Sequence, residues 1–220
     1  VEEILGMLAD PFGGPSTSTS MLVNADFKFV PAVDSKGKKY DVTQGNFYST
    51  LLEHPDRKVR QSAFESYHDK HIEFKNTLAT NLSTSISANV FNMRARKFNT
   101  TLSASLFNNN VPEEVFHNLI DTFKKNLPIW HRYFEIRRKA LGLKEIQYYD
   151  MWAPIAKKKT TLAYEKAVDL ISDSLAPLGK DYVNTLRQGT LKDGWVDSAE
   201  NQGKMNGAFS YGAPKTHPFI

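Results

Sequence analysis

The sequence predicts a mostly α-helical fold of antiparallel helices with a small β-hairpin and a short C-terminal strand. Apolar residues recur every three to five positions from Val59 to Leu78, which is the spacing of one helix face. No proline or glycine interrupts the chain between Pro55 and Lys97. Two stretches of alternating side chains around turn-forming residues indicate the hairpin.

The first elements are a short helix, a loop and the hairpin. Residues 1–5 begin an amphipathic pattern, whereas residues 11–20 are rich in Pro, Gly, Ser and Thr and predict a loop. Residues 26–30 and 39–42 alternate between polar and apolar side chains, and residues 34–37 supply the turn. The hairpin is expected to lie on a helical body.

A long helical region follows. Residues 55–97 predict either one very long helix or two helices joined near Asn76. The next helix is predicted to start with Asn110 as its N-cap, Pro112 in its first turn and Glu113 at the reciprocal capping position.

Three further helices and one extended segment complete the prediction. The first helix follows Pro128 and closes at Gly142, and the other two span about 163–175 and 178–189. Residues 207–212 are bounded by glycines and predict an extended strand.

The elements divide the chain into three predicted regions. Residues 1–54 hold the N-terminal helix, the loop and the hairpin, residues 55–193 form a helical body, and residues 194–220 are extended. The chain has no initiator Met, and it stops on the apolar residues Phe219 and Ile220. Because domains usually end in polar, flexible segments, we expect an internal piece of a longer protein.

Composition excludes several classes of protein. The 28 basic and 24 acidic residues leave a net charge of +4, which is weak support for a nucleic-acid partner. The absence of Cys excludes a disulfide framework and a cysteine nucleophile. No apolar run approaches the ~18–20 residues of a membrane helix. We therefore expect a soluble chain of intracellular origin.

The histidines do not form a recognised metal motif. None belongs to H-E-x-x-H, in which two His at i and i+4 share a helix face. His68 and His71 lie three residues apart, but no carboxylate follows at the next turn, so we interpret them as surface or core-edge residues. The basic groups are typical of solvated faces, or of contact with anions or acidic peptides. They are Lys157–Lys159, Arg94 with Arg96, and Arg137 with Arg138.

These residues alone identify no complete catalytic site. One hypothesis left open is a self-standing helical interaction module that binds acidic peptides or nucleic acid through its basic helix faces. The other hypothesis depends on a family resemblance.

Six segments together carry that resemblance. They are residues 20–26, 57–64, 95–99, 149–151, 176–179 and 201–210, with the sequences SMLVNAD, RKVRQSAF, ARKFN, YDM, APLG and NQGKMNGAFS. In order and spacing these segments resemble oligoendopeptidase F, a bacterial zinc endopeptidase related to thimet oligopeptidase. The resemblance covers essentially the whole chain.

The resemblance implies a role for the fold. The antiparallel helices would form part of a peptidase channel that admits oligopeptides, and residues 194–220 would lead toward a zinc-binding H-E-x-x-H helix. In the family that helix follows the segment matching residues 216–220, so no catalytic or metal residue is assigned here. Zinc would belong to the parent enzyme and not to this chain, which we predict to be inactive alone.

The resemblance also implies partners and a location. The partners would be oligopeptide substrates and the remainder of the same polypeptide, with no nucleic acid and no membrane. The parent would hydrolyse internal bonds of short peptides in the cytoplasm.

One segment is a candidate for substrate binding, namely Gly207, Ala208, Phe209, Ser210 and Tyr211. Related zinc peptidases hold the peptide in extended form against a strand beside the zinc helix. The residues agree with such a role, because glycine near a strand often marks close approach of another backbone. Ala208 and Ser210 would share one open face, while Phe209 and Tyr211 would point the other way into packing. An ordinary buried strand or connecting loop is the alternative.

Overall fold

The computed structural model describes residues 2–156, 161–199, 204 and 207–220. The chain folds as two units, residues 1–155 and residues 156–220. The basic run Lys157–Lys159 and most of the segment 201–206 lie outside the described residues. The three predicted regions, with boundaries after 54 and 193, stay a prediction.

The described residues are mostly helical, as predicted. The helices of the first unit are α1 Glu2–Met7, α2 Ala9–Met21, α3 Gln44–Asn46, α4 Arg57–Glu73, α5 Lys75–Ala95, α6 Thr101–Phe107, α7 Glu113–Lys125 and α8 Leu127–Ala140. The chain breaks between α4 and α5 at Phe74, so the two-helix alternative is confirmed. The short helix α6 was not predicted.

The loop predicted at residues 11–20 is wrong, because these residues belong to α2. Contacts with α5 stabilise this helix. The rings of Phe12 and Phe91 meet edge to face with centroids 5.4 Å apart, and the Asn81 amide donates a hydrogen bond to the Thr19 hydroxyl at 3.0 Å. Tertiary contacts of this kind override the weak helix propensity of Gly, Ser and Thr.

The hairpin is confirmed, but its first strand lies later than predicted. Strand β1 (Ala32–Val33) pairs antiparallel with β2 (Lys39–Tyr40), and Ala32 lies opposite Tyr40. Residues 22–26 form a π-helical turn. The Phe27 ring then packs on His71 and Phe74, with centroids 5.1 Å from each. The segment after that turn is therefore held by α4 and the residue that follows it.

A carboxylate ties the hairpin turn to the start of α4. Asp56 is the N-cap of α4 and accepts a hydrogen bond from the Lys58 amide at 2.8 Å. It also accepts bonds from the Ser35 amide at 2.9 Å and the Ser35 hydroxyl at 2.7 Å. The Ser35 bonds, with that of Lys58, lower the pKa of Asp56 to about 2.

The start of α7 is confirmed near residue 113, but the predicted cap is wrong. Pro112 occupies the N-cap position and makes no side-chain cap bond. Asn110 instead has a positive φ of 51°, and its amide donates to the Phe107 carbonyl at 3.0 Å. Asn tolerates this left-handed backbone conformation, so Asn110 closes the end of α6.

The core of the first unit lies between the hairpin, residues 47–52 and α4. Its members are at most 7% exposed and comprise Ala32, Val42, Phe47, Leu51, Leu52, Val59 and Ala63. The Tyr67 ring stacks between Phe47 and Phe29, with centroid distances of 3.9 and 5.3 Å. Stacked aromatic rings bury large areas in defined geometry and fix α4 against the hairpin side.

The second unit contains the two last helices of the sequence prediction. These are α9 Tyr164–Ser174 and α10 Lys180–Leu191, which pack on each other. After α10 the chain turns so that the Trp195 indole lies directly on Gly189, where a Cβ atom would overlap the ring. Glycine at this position therefore permits a close approach that any side chain would block.

Candidate functional site

The predicted substrate-binding segment lies in the second unit as one arm of a small hairpin. The Tyr211 amide donates to the Phe219 carbonyl at 2.9 Å, and the Phe219 amide donates back to the Tyr211 carbonyl at 2.8 Å. The Thr216 amide closes the turn by donating to the Ala213 carbonyl at 3.1 Å. The predicted short strand is reduced to this isolated bridge among the residues that the structure describes.

The other arm of this hairpin pairs with the segment after α10. The Ile220 amide donates to the Trp195 carbonyl at 2.9 Å, and the Asp197 amide donates to the Ile220 carbonyl at 2.9 Å. The rings of Trp195 and His217 stack with centroids 5.8 Å apart. The segment at Tyr211 is therefore the outermost of three neighbouring chain segments.

The side chains of the segment differ in part from the prediction. Phe209 and Tyr211 share one side, as predicted, because their rings stack with centroids 6.0 Å apart and an angle of 19°. Their expected packing is wrong, since Phe209 is 66% and Tyr211 62% exposed. The aromatic side of the segment is therefore open to contact.

The backbone of the segment offers an unpaired edge. Because N–H and C=O groups alternate in direction along an extended chain, the pairing of Tyr211 with Phe219 directs the groups of Ser210 to the opposite edge. Ala208 shares this direction with Ser210. Neither residue has a backbone partner within the described part of the chain. Gly207, with a φ of 129°, begins the segment in a conformation that favours glycine.

The two histidines of α4 pack at the edge of the aromatic core. Nδ1 of His68 lies 2.8 Å from the Phe64 carbonyl, and Nδ1 of His71 lies 2.8 Å from the Tyr67 carbonyl. Each bond uses one ring nitrogen within α4 itself. Within residues 2–156, 161–199, 204 and 207–220, no three His, Asp or Glu side chains are grouped to hold a metal ion.

A buried charge cluster was not predicted as a unit. Asp150 is completely buried and accepts hydrogen bonds from Arg57 Nη2 at 2.8 Å and from Arg60 Nη2 at 2.9 Å. It also caps the turn at 148–150 by accepting from the Gln147 amide at 3.0 Å. Burial alone would raise the pKa of Asp150, but the bonds from both arginines and Gln147 outweigh it and lower that pKa.

The sequence did contain a signal for this cluster. Arg57 and Arg60 are one helical turn apart at the start of a helix, and Asp150 belongs to a segment that carried the family resemblance. What the sequence could not show is that these residues meet across about 90 positions. The cluster fixes α4 to the turn that follows α8.

Comparison with known proteins defines the class of this chain. Residues 50–220 match the sequence profile of Peptidase family M3, and the chain belongs to that family. The resemblance inferred from the six segments is therefore confirmed.

Individual relatives agree with this assignment. The chain is 40% identical over 220 residues to Oligopeptidase PepF of Bacillus subtilis, covering all of this chain and 32% of that protein. It is 35% identical to an oligoendopeptidase F homolog of Borreliella burgdorferi, again covering all of this chain and 36% of the relative. The crystal structure of oligoendopeptidase-F from Enterococcus faecium matches 88% of this chain and 37% of its own, at 32% identity and a TM-score of 0.67.

The chain spans about a third of the length of the curated relatives that it matches. Across the described residues, none of the helices combines the length and apolar character that crossing a bilayer requires.

Proposed function

We propose that this chain is part of a zinc-dependent oligoendopeptidase that hydrolyses internal bonds of short peptides in the cytoplasm. Membership of Peptidase family M3 is the observation that carries this proposal. The names of the relatives, oligopeptidase and oligoendopeptidase F, support an oligopeptide substrate. The competing hypothesis of a helical module for acidic peptides or nucleic acid has no comparable support.

The described residues do not fit a zinc site of their own. A catalytic zinc needs three protein ligands, and no such group of side chains occurs within the described part of the chain. We therefore assign the zinc to a part of the parent enzyme outside this chain and derive no step through it. The chain alone is expected to be inactive for the same reason.

In this proposal the segment from Gly207 to Tyr211 binds the substrate as an edge strand. The unpaired backbone groups of Ala208 and Ser210 support this role, because an extended peptide adds to a free strand edge through main-chain hydrogen bonds. Main-chain bonds do not depend on the substrate's side chains, which suits a peptidase of broad specificity. The helices of the first unit would line the channel.

Removal of one unpaired backbone N–H group tests whether the substrate binds to this strand edge. In the zinc-loaded full-length enzyme, Ser210→Pro removes the outward N–H, whereas Ser210→Ala keeps it and changes only the side chain. We expect Ser210→Pro to lower kcat/KM at least about tenfold, and Ser210→Ala to leave it within about twofold. Zinc content and Tm should stay nearly unchanged in both variants.

A second variant keeps the test decisive. Ala208→Pro removes the other outward amide, so it should lower kcat/KM even where Ser210→Pro fails to fold. Full activity in a folded Ser210→Pro or Ala208→Pro enzyme would contradict main-chain binding at that residue, and full activity in both would remove the assignment.

The wider proposal has a simpler test. The gene that encodes this chain should continue past Ile220 with an H-E-x-x-H sequence within a few tens of codons. A stop codon directly after Ile220 would contradict a peptidase and favour the interaction module.

A further inference from the structure

Arg137 is a buried arginine whose hydrogen bonds are incomplete. It lies in the last turn of α8 and is 8% exposed. Its Nη2 donates to the Ala153 carbonyl at 2.6 Å, and its Nη1 donates to the Tyr133 hydroxyl at a long 3.4 Å. Its Nε is buried and has no hydrogen-bond partner. A buried donor without an acceptor is unfavourable, so this arrangement calls for an explanation.

The charge of Arg137 is also without a counter-ion within the described residues. No carboxylate of these residues lies within 4.0 Å of its guanidinium. Glu135 on the same helix instead contacts Arg138 at 2.7 Å and Lys139 at 3.5 Å. Buried charges in proteins are normally paired, because removing an ion from water is costly.

Tyr133 adds a second donor beside this guanidinium. The two residues are four positions apart, so they share a face of α8, and the Arg137 guanidinium lies 5.8 Å from the Tyr133 ring centroid. The Tyr133 hydroxyl accepts from Arg137, while its own proton has no acceptor in the described part of the chain. Tyr133 is 46% exposed, so part of this side chain is reachable from solvent.

We propose that Tyr133 and Arg137 form a carboxylate-binding site whose carboxylate comes from outside the described residues. A carboxylate has two acceptor oxygens and one negative charge, which match the weakly bonded Nη1–H of Arg137, the free O–H of Tyr133 and the single uncompensated cation. The neighbouring Trp130 ring, 6.1 Å from that of Tyr133, would contact the apolar part of the group that carries the carboxylate.

The carboxylate could have either of two sources. One is the C-terminus of an oligopeptide substrate, a version that depends on the proposed peptidase function. The other is an Asp or Glu side chain elsewhere in the same polypeptide. Both supply the same chemistry, and the experiment separates them.

The substrate source is tested by kinetics of the full-length enzyme on one peptide with a free C-terminal carboxylate and on the same peptide as its amide. We expect a wild-type preference for the acid of at least about tenfold in kcat/KM. Tyr133→Phe and Arg137→Met should reduce this preference, whereas Lys139→Met, which alters only the exposed pair with Glu135, should keep it.

The internal source is tested by the crystal structure and thermal unfolding of the full-length protein. An Asp or Glu oxygen within about 4 Å of the Arg137 guanidinium, with a lower Tm in Tyr133→Phe and Arg137→Met than in Lys139→Met, would establish an internal carboxylate. A wild type without acid preference and without a carboxylate at Arg137 would overturn the proposal.

Failure of the carboxylate site can be distinguished from failure of the proposed function. If the zinc-loaded full-length protein cleaves no peptide, the peptidase proposal fails. Binding of the acid and amide peptides by calorimetry, together with the crystal structure, would still decide the role of Tyr133 and Arg137.

Discussion

Arg60 and Arg137 are both buried arginines, but their surroundings differ in one respect. Arg60 is 4% exposed and donates to Asp150, to the carbonyls of His54 and Pro55, and to the Tyr149 carbonyl. Arg137 is 8% exposed and has one short hydrogen bond to a carbonyl, with no carboxylate beside it in the described residues. The first arginine is neutralised by its own unit, and the second depends on a group from elsewhere.

The largest expected effect comes from removing the counter-ion of Arg60, so that this arginine is unpaired like Arg137. Asp150→Asn removes the carboxylate but keeps the size of the side chain, so Arg60 is left buried without a counter-ion. We expect the free energy of unfolding to fall by about 3–5 kcal/mol, the cost of breaking a buried ion pair. Urea denaturation of the protein measures this loss. A loss of less than about 1 kcal/mol would show that the cluster contributes no more to stability than a surface ion pair.

The two arginines that contact Asp150 should contribute unequally to stability, and this difference is a smaller effect. The Arg60 side chain is 4% exposed and that of Arg57 is 43% exposed. Arg60→Met should therefore lower the free energy of unfolding by about 3 kcal/mol, and Arg57→Met by about 1 kcal/mol. The same denaturation experiment compares them, and equal losses would contradict the importance of burial.

The smallest expected effect is a change with pH in the stability that Asp150 contributes. The pKa of Asp150 is lowered in the folded state from its ordinary value of 3.8. The stability that Asp150 contributes is therefore complete above that value and is lost as the pH falls below it toward the folded pKa. The difference in free energy of unfolding between wild type and Asp150→Asn should stay constant from pH 7 to pH 5 and shrink below about pH 3.8. A constant difference down to pH 2.5 would contradict the assignment of the shift to Asp150.

The sequence predicted the features that depend on local spacing. The apolar period gave the helices on both sides of Phe74, and Gly142 was predicted correctly as the end of α8, where its φ is 66°. Prediction failed where distant contacts decide. Residues 11–20 form a helix because α5 packs against them, and the first strand follows Pro31 because Phe27 packs on α4.

The candidate site shows the same limit. Glycine spacing indicated an extended segment at 207–212, and the bridge at Tyr211 lies there. The pairing of Tyr211 with Phe219 determines which backbone edge of this segment is occupied. The packing of the same two chain segments leaves the Phe209 side chain exposed. The pairs of Asp150 with Arg57 and Arg60 join residues 93 and 90 positions apart, and no local pattern specifies them.

The contact between Trp195 and Gly189 makes this indole an optical probe of the C-terminal segment. Trp195 lies on the backbone of α10 and stacks on His217, whereas Trp130 and Trp152 are each 45% exposed. Because indole emission shifts to longer wavelengths in water, the fluorescence of Trp195 changes whenever the ring leaves Gly189. In a chain whose other two tryptophans are replaced by phenylalanine, the emission colour therefore reports directly whether Trp195 is docked on α10, beside the arm that carries His217.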